Sequence, residues 1–72
     1  MTTTHPQRAA IAALINAAAR LRFAAADVGR AADLLTDPRA IAARNLSEDI
    51  DALETMVSRL AFAVETDIRN RA

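Results

Sequence analysis

A seven-residue repeat in the first half of the chain constrains its fold more than any other feature. Alanine stands at positions 10, 17, 24 and 31, and the next position in each repeat is Ile or Ala. Leu or Val stands at positions 14, 21, 28 and 35. A repeat of seven is typical of helices that pack side by side, and small residues let two helix backbones approach closely. The repeat therefore predicts a first helix over about residues 7–35 that lies close to a partner helix.

The clearest boundary in the chain is the segment Thr36-Asp37-Pro38. Proline disfavours helical backbone in the residue before it, and Asp37 can cap a helix whose first residue is Pro38. We expect a short helix over about 38–44, and a second long helix over about 47–70 that is capped from position 45 or 47. One continuous helix from Pro38 onward is the alternative.

The segment before the first helix, residues 1–6, is expected to form a polar tail. Thr4 and Gln7 have the spacing of a capping box, in which each side chain bonds a backbone amide of the other residue. His5 is the only histidine of the chain and has no visible partner for metal binding or proton transfer. We interpret it as a solvated tail residue.

The single glycine, Gly29, interrupts an otherwise apolar helical pattern. Inside a helix it costs about 1 kcal/mol relative to alanine. Its spacing of four from Ala25 forms a notch of small residues that suits close helix packing. The alternative is a bend at Gly29 within a DNA-binding helix-turn-helix. The repeat passes through this position without a change of phase, which favours a continuous helix.

The second long helix has an apolar stripe of its own, formed by Leu46, Ile50, Leu53, Val57, Leu60 and Val64. Large residues on this stripe would face alanines on the first helix, which is the complementarity that dense packing requires. The predicted seam between helices comprises Ile11, Leu14, Ala18, Leu21, Ala25, Val28, Ala32, Ile50, Leu53, Val57, Leu60 and Val64. The fold class that follows is all-α, with two helices in a hairpin.

The composition indicates that one hairpin is not enough. The chain has 72 residues, of which 53% are hydrophobic, but many of these are alanines that bury little apolar surface. It has no cysteine for a disulfide, so oligomerisation is the remaining way to stabilise so small a domain. The segment Ala9–Ala19 is apolar on every side except at Asn16, which one neighbouring helix cannot cover. We therefore expect a homodimer that forms a four-helix bundle with alanine-rich packing.

The formal net charge is zero, so no overall field attracts nucleic acid or an anionic membrane. The charges are unevenly distributed, since residues 1–44 hold six arginines against three acids and residues 45–72 hold three against six. Opposite charges on two antiparallel helices attract each other, which is the simpler interpretation. A regulatory nucleic-acid-binding protein, as a helix-turn-helix or an RNA-binding hairpin dimer, is the alternative. It would use Arg20, Arg22, Arg30, Arg39 and Arg44.

The sequence contains no recognisable catalytic set, and we expect neither enzyme activity nor a metal or cofactor. There is no cysteine nucleophile and no glycine-rich phosphate loop. The acids Glu48, Asp49, Asp51 and Glu54 are interpreted as a solvated start of the second helix, where the helix dipole favours negative charge. The apolar run of eleven residues from Ala9 is too short to cross a bilayer, so a cytoplasmic protein without membrane contact is expected.

Phe23 and Phe62 are each preceded by an arginine three residues earlier and are predicted to lie opposite the seam. Exposed aromatic and arginine side chains are favoured at binding surfaces. The candidate partner surface is Arg20, Arg22, Phe23, Arg30, Arg59 and Phe62. The function expected is a non-enzymatic protein–protein interaction module, such as an adaptor, inhibitor or assembly subunit. A structural subunit of a larger complex is a further alternative, and the phenylalanines could instead fill a second interface within a homo-oligomer.

Overall fold

The computed structural model describes residues 5–71, and these form two helices packed against each other. Helix α1 spans His5–Leu34 and helix α2 spans Arg39–Arg71. The helices are antiparallel, because Gly29 lies beside Ser47 near the bend and Arg22 lies beside Glu54 further away from it. The expected all-helical fold with two packed helices is confirmed.

Helix α1 is continuous through Gly29. The alternative of a helix-turn-helix bend at this position is therefore wrong. The helix begins at His5, so His5 and Pro6 belong to α1 and not to the tail. Proline is tolerated there because the first amides of a helix have no partner within it. Residues 1–4 lie outside the described part of the chain, and so does the predicted capping box.

Asp37 caps α2, as predicted. The Arg39 backbone amide donates to the Asp37 carboxylate at 3.0 Å, and the Ala40 and Ile41 amides donate to the Asp37 and Pro38 carbonyls. The Arg39 guanidinium also bonds the Asp37 carboxylate. The side-chain hydrogen bond from Arg39 lowers the pKa of Asp37 below its usual value. Desolvation opposes this shift, and the backbone hydrogen bonds add a smaller lowering of the pKa.

Helix α2 has no break at residues 45–46, so the predicted separate helix over 38–44 is wrong and the alternative of one long helix is correct. The physical reason is the partner of Ser47. Its hydroxyl donates to the Ala25 carbonyl of α1 at 2.8 Å and caps nothing in its own helix. The acids at positions 48, 49 and 51 consequently lie inside α2 and not in its first turn.

The contact between the helices runs along a seam of residues spaced alternately three and four apart. On α1 every predicted seam residue is buried or half-buried, and Ala18, Ala25 and Ala32 are only 6, 4 and 1% exposed. On α2 the inward residues are Ala40, Ala43, Ser47, Ile50, Glu54, Val57, Ala61, Val64 and Ile68, none of which is classed as exposed. Within the hairpin, therefore, Leu53 and Leu60 do not pack into this contact as expected, and they are 48 and 53% exposed.

The hairpin is a rod with principal extents of 56 × 15 × 10 Å. Its radius of gyration is 16.5 Å, whereas a compact domain of this length would have about 11 Å. Two helices side by side have no third layer to cover them, so among the described residues only four alanines are buried. The fold places large apolar side chains along its flanks.

Candidate interaction surfaces

The seam has two flanks with different chemistry. On one flank, Ile15 and Arg22 of α1 and Ser58, Phe62 and Glu65 of α2 line a common groove. We call this the groove flank. The other flank lies on the opposite side of the seam. It is formed by the residues that immediately precede Ala18, Ala25 and Ala32 on α1, and Ser47, Glu54 and Ala61 on α2. These rows form the apolar flank, which consists of Ala17, Ala24, Ala31, Leu46, Leu53 and Leu60.

The apolar flank combines small residues on α1 with large residues on α2. Leu46, Leu53 and Leu60 are 52, 48 and 53% exposed, although they are seven residues apart on one side of the helix. Ala17 and Ala24 beside them are half-buried. Charged side chains border this flank, where Arg20 and Asp27 on α1 and Asp49 on α2 are exposed. The result is a continuous apolar surface bordered by charge.

Ion pairs cross the groove flank from one helix to the other. Arg22 bonds Glu54 at 3.1 Å, and Arg44 bonds Asp33 at 3.3 Å. The Glu54 side chain is only 19% exposed because it occupies a seam position, whereas Arg22 is 71% exposed. Pairs with an exposed partner contribute well under about 1 kcal/mol each to stability. Their main effect is to fix which flanks of the two helices face each other.

The groove itself has a volume of about 310 Å³ and is open to solvent. Its apolar lining consists of Ile11, Ile15, Ala18, Ala19, Ala61 and Phe62, and Phe62 is 63% exposed. Within the described residues, no group of three or more His, Cys, Asp or Glu side chains is close enough to hold a metal ion. The groove offers apolar contact, with charged side chains only at its rim.

The structure does not bring the predicted partner surface together. Phe62 lines the groove, but Phe23 does not, and Phe23 is 70% exposed. Phe23 follows Arg22, which pairs with Glu54, and Phe62 lies eight residues beyond Glu54 in α2. At 1.5 Å per residue the two phenylalanines are about 12 Å apart along the rod.

The arginines of both candidate sets are also dispersed. Arg20 lies at the edge of the apolar flank, Arg30 bonds Asp27 within α1, and Arg59 is exposed on α2. Four arginines of the nucleic-acid alternative, Arg22, Arg30, Arg39 and Arg44, each pair with a carboxylate. The apolar flank was not singled out as a surface from sequence, although the spacing of Leu46, Leu53 and Leu60 was the available signal.

Helix α1 is long and apolar enough to cross a membrane by length and composition alone. Its stretch Pro6–Leu34 contains an 18-residue window of mean hydropathy 1.4. This window is longer than the uninterrupted apolar run of eleven residues that begins at Ala9. Only 11% of that window is buried. Core helices of soluble proteins and signal sequences have the same properties, so this feature does not distinguish among them.

The comparisons with known proteins provide no family and no function. The chain matches no protein-family model, no curated protein and no solved structure at a significant level.

Proposed function

We propose that this chain is a non-enzymatic protein–protein interaction module that associates through its apolar flank, two hairpins forming a four-helix bundle. The observation that carries the proposal is the exposure of Leu46, Leu53 and Leu60, about half of each, on one continuous side of the rod. In the same hairpin no large side chain of the described residues is fully buried. These leucines are thus directed outward, where only another molecule can cover them.

The surface area supports this proposal. The hairpin has an accessible surface of 5482 Å² for a mass of 7.7 kDa. A compact monomer of that mass exposes about 4,300 Å², so the excess is about 1,200 Å². A stable protein–protein interface buries about 800 Å² of each partner. Covering the apolar flank with a second hairpin would remove a comparable area and give this chain the surface of an ordinary globular protein.

The energetics of the seam support it as well. The buried residues of the hairpin are alanines, and a methyl group yields less than about 1 kcal/mol when it leaves water. Ordering each residue costs about 1–2 kcal/mol of backbone entropy. A half-exposed leucine that becomes fully buried adds about 1 kcal/mol, and the flank supplies three per copy. Association therefore contributes stability that the isolated hairpin lacks.

The test is the molar mass in solution, measured by light scattering on the wild type and on two matched variants. We expect a wild-type mass of twice the chain mass. Leu53→Gln, in the middle of the apolar flank, should shift the protein to monomer and reduce its helicity at micromolar concentration. Phe62→Gln removes a side chain of similar exposure on the groove flank and should leave the mass unchanged. A stable wild-type monomer, unaffected by Leu53→Gln, would overturn the proposal.

The two exposed phenylalanines provide a second test of which residues form the self-association interface. Replacing Phe23 and Phe62 together by serine should leave helicity and molar mass intact, because neither residue lies on the apolar flank. If the double variant instead dissociates, the phenylalanines belong to the self-association interface and the assignment of the two flanks is wrong.

A further inference from the structure

We propose that the occupant of the apolar flank is a second copy of this chain, related by a two-fold axis that crosses the rod at right angles at the level of Ala24 and Leu53. This inference rests on the proposed function. In the resulting bundle α1 packs against α1 of the second copy, and α2 packs against α2. Arg20 of each chain then faces Asp27 of the other.

The spacing of the apolar flank is symmetric about one level of the rod. Ala17 and Ala31 are each seven residues from Ala24, and Leu46 and Leu60 are each seven residues from Leu53. The two centres lie side by side. Arg22, two residues before Ala24, bonds Glu54, and α2 runs in the opposite direction, so Ala24 lies within about one residue of the level of Leu53. A perpendicular two-fold axis at this level therefore places each residue row of the flank against the same row of the second copy.

The charges at the edge of the flank are complementary under the same rotation. Arg20 precedes Ala24 by four residues and Asp27 follows it by three, so reversing the direction of α1 brings each near the position of the other. Both side chains are exposed in the hairpin. Asp27 also bonds Arg30 in its own helix, but a carboxylate accepts several donors. The dimer would therefore gain two Arg–Asp pairs from one type of contact, as an isologous interface requires.

The other two-fold arrangement places like charges together. With the axis parallel to the rod, α1 would pack against α2 of the second copy at the same level. Asp27 lies three residues after Ala24 and Asp49 lies four residues before Leu53, so the two carboxylates would face each other. Like charges across an interface disfavour an association, and opposite charges fix its register. The charge pattern thus selects the perpendicular axis.

The first experiment tests the position of the axis by disulfide formation. The chain has no cysteine, so a single Cys is the only thiol. Ala24→Cys on the axis should form a covalent dimer rapidly under mild oxidation, because only residues whose Cα atoms are within about 7 Å can be bridged. Ala26→Cys is the matched control, since residue 26 is exposed and points away from the flank. Equal rates for both variants, in a protein that light scattering shows to be dimeric, would overturn the arrangement and leave the proposed self-association standing.

The second experiment tests the charge pairs by reversal. Arg20→Glu alone and Asp27→Arg alone should each raise the dimer dissociation constant about tenfold at low salt, since each change creates two like-charge contacts per dimer. Combining them should restore the dissociation constant to within about threefold of the wild type, although the intrahelical ion pair between Asp27 and Arg30 is lost. Additive effects in the double variant would contradict the arrangement. A wild-type chain that is monomeric at all concentrations would contradict the proposed function instead.

Discussion

The two helices contribute different kinds of residue to the contact between them. Helix α1 alternates alanines with larger residues such as Leu14, Leu21 and Val28, and its alanines Ala18, Ala25 and Ala32 are the most deeply buried. Helix α2 presents Ile and Val in alternation with smaller or polar residues, among which are Ser47 and Glu54. Each of these two polar groups has a partner on α1, the Ala25 carbonyl and the Arg22 guanidinium. The alanines of α1 thus allow the helices to approach closely, and the polar residues of α2 bond specific groups of α1.

The difference explains why the leucines of α2 lie on a flank. The alanines at alternate seam positions of α1 bring the backbones close together, which leaves little room for leucine at the α2 positions opposite them. Small or short side chains such as Ser47 and Ala61 fill that space, and the larger residues occupy the neighbouring row. The close contact within the hairpin and the open apolar flank are thus two consequences of the same alanine repeat.

The largest expected effect comes from filling the close contact. Ala25→Leu adds three carbon atoms at a position that is 4% exposed, beside the hydroxyl of Ser47. Overpacking of this kind costs about 1–3 kcal/mol, because the helices must separate or the side chain must leave its preferred rotamer. The free energy of unfolding by urea, at one fixed protein concentration, measures the loss. Ala26→Leu makes the same change at an exposed position and should have little effect, and similar losses in both variants would contradict the close contact.

This comparison also shows how far the sequence alone could predict the molecule. The alanine repeat of α1 and the Asp37 cap depend on residues near each other in the chain, and both were predicted correctly. The predicted α2 seam was wrong at Leu53 and Leu60, where Glu54 and Ala61 lie inward instead, because hydrophobicity favours Leu53 over Glu54 at an inward position. Glu54 is tolerated there since Arg22 of the other helix bonds it, and that partner depends on which flanks face each other.

The apolar flank could not be separated from the seam by sequence alone, for the same reason. Hydrophobic spacing marks every apolar row of α2, whether a row faces α1 or a second molecule. The rows of Ile50 and Leu53 therefore merged into one predicted stripe, and only the structure separates the inward row from the flank. The predicted break at positions 45–46 failed for a related reason, since Ser47 bonds a carbonyl of the other helix.

A smaller effect is expected on the α2 side of the seam. Ser47→Ala removes the hydrogen bond that the hydroxyl donates to the Ala25 carbonyl. A partly buried hydrogen bond of this type contributes about 1 kcal/mol, so the free energy of unfolding should fall by about that amount. Ser58→Ala is the control, because its hydroxyl is exposed and lies 3.4 Å from Glu54. If the two variants are equally stable, the hydrogen bond from Ser47 to α1 does not contribute to the free energy of unfolding.

A substitution at Gly29 probes how closely the two helices approach in the same region. Here we expect a gain in stability and not a loss. A Cβ atom added to Gly29 would lie 3.4 Å from the Ser47 hydroxyl, which is an ordinary van der Waals distance. Alanine is more favourable than glycine inside a helix, so Gly29→Ala should stabilise the protein by about 0.5–1 kcal/mol. Thermal unfolding followed by circular dichroism measures the change. A lower melting temperature would mean that the helices are closer at this notch than the hairpin shows.

The smallest effect is expected outside the seam, at the Asp37 cap, where neither kind of packing acts. The Arg39 guanidinium lowers the pKa of Asp37 below its usual value of 3.8, and the backbone amide of Arg39 acts in the same direction. A carboxyl whose pKa is lowered by folding stabilises the folded state while it is ionised. That contribution is complete above the unfolded pKa and is lost as the pH falls through the folded pKa. It should therefore be constant near neutral pH and decrease below about pH 4.

Asp37→Asn isolates this contribution, because asparagine caps a helix about as well as aspartate but cannot form the ion pair with Arg39. The melting temperature of the wild type should exceed that of the variant at pH 7, and the difference should shrink as the pH is lowered below 4. Other carboxylates titrate in both proteins, so the difference between the two curves is the quantity to follow. A difference that stays the same at every pH would assign the stabilisation to cap geometry alone, and the Arg39 charge would then have no part in holding the bend between the two helices.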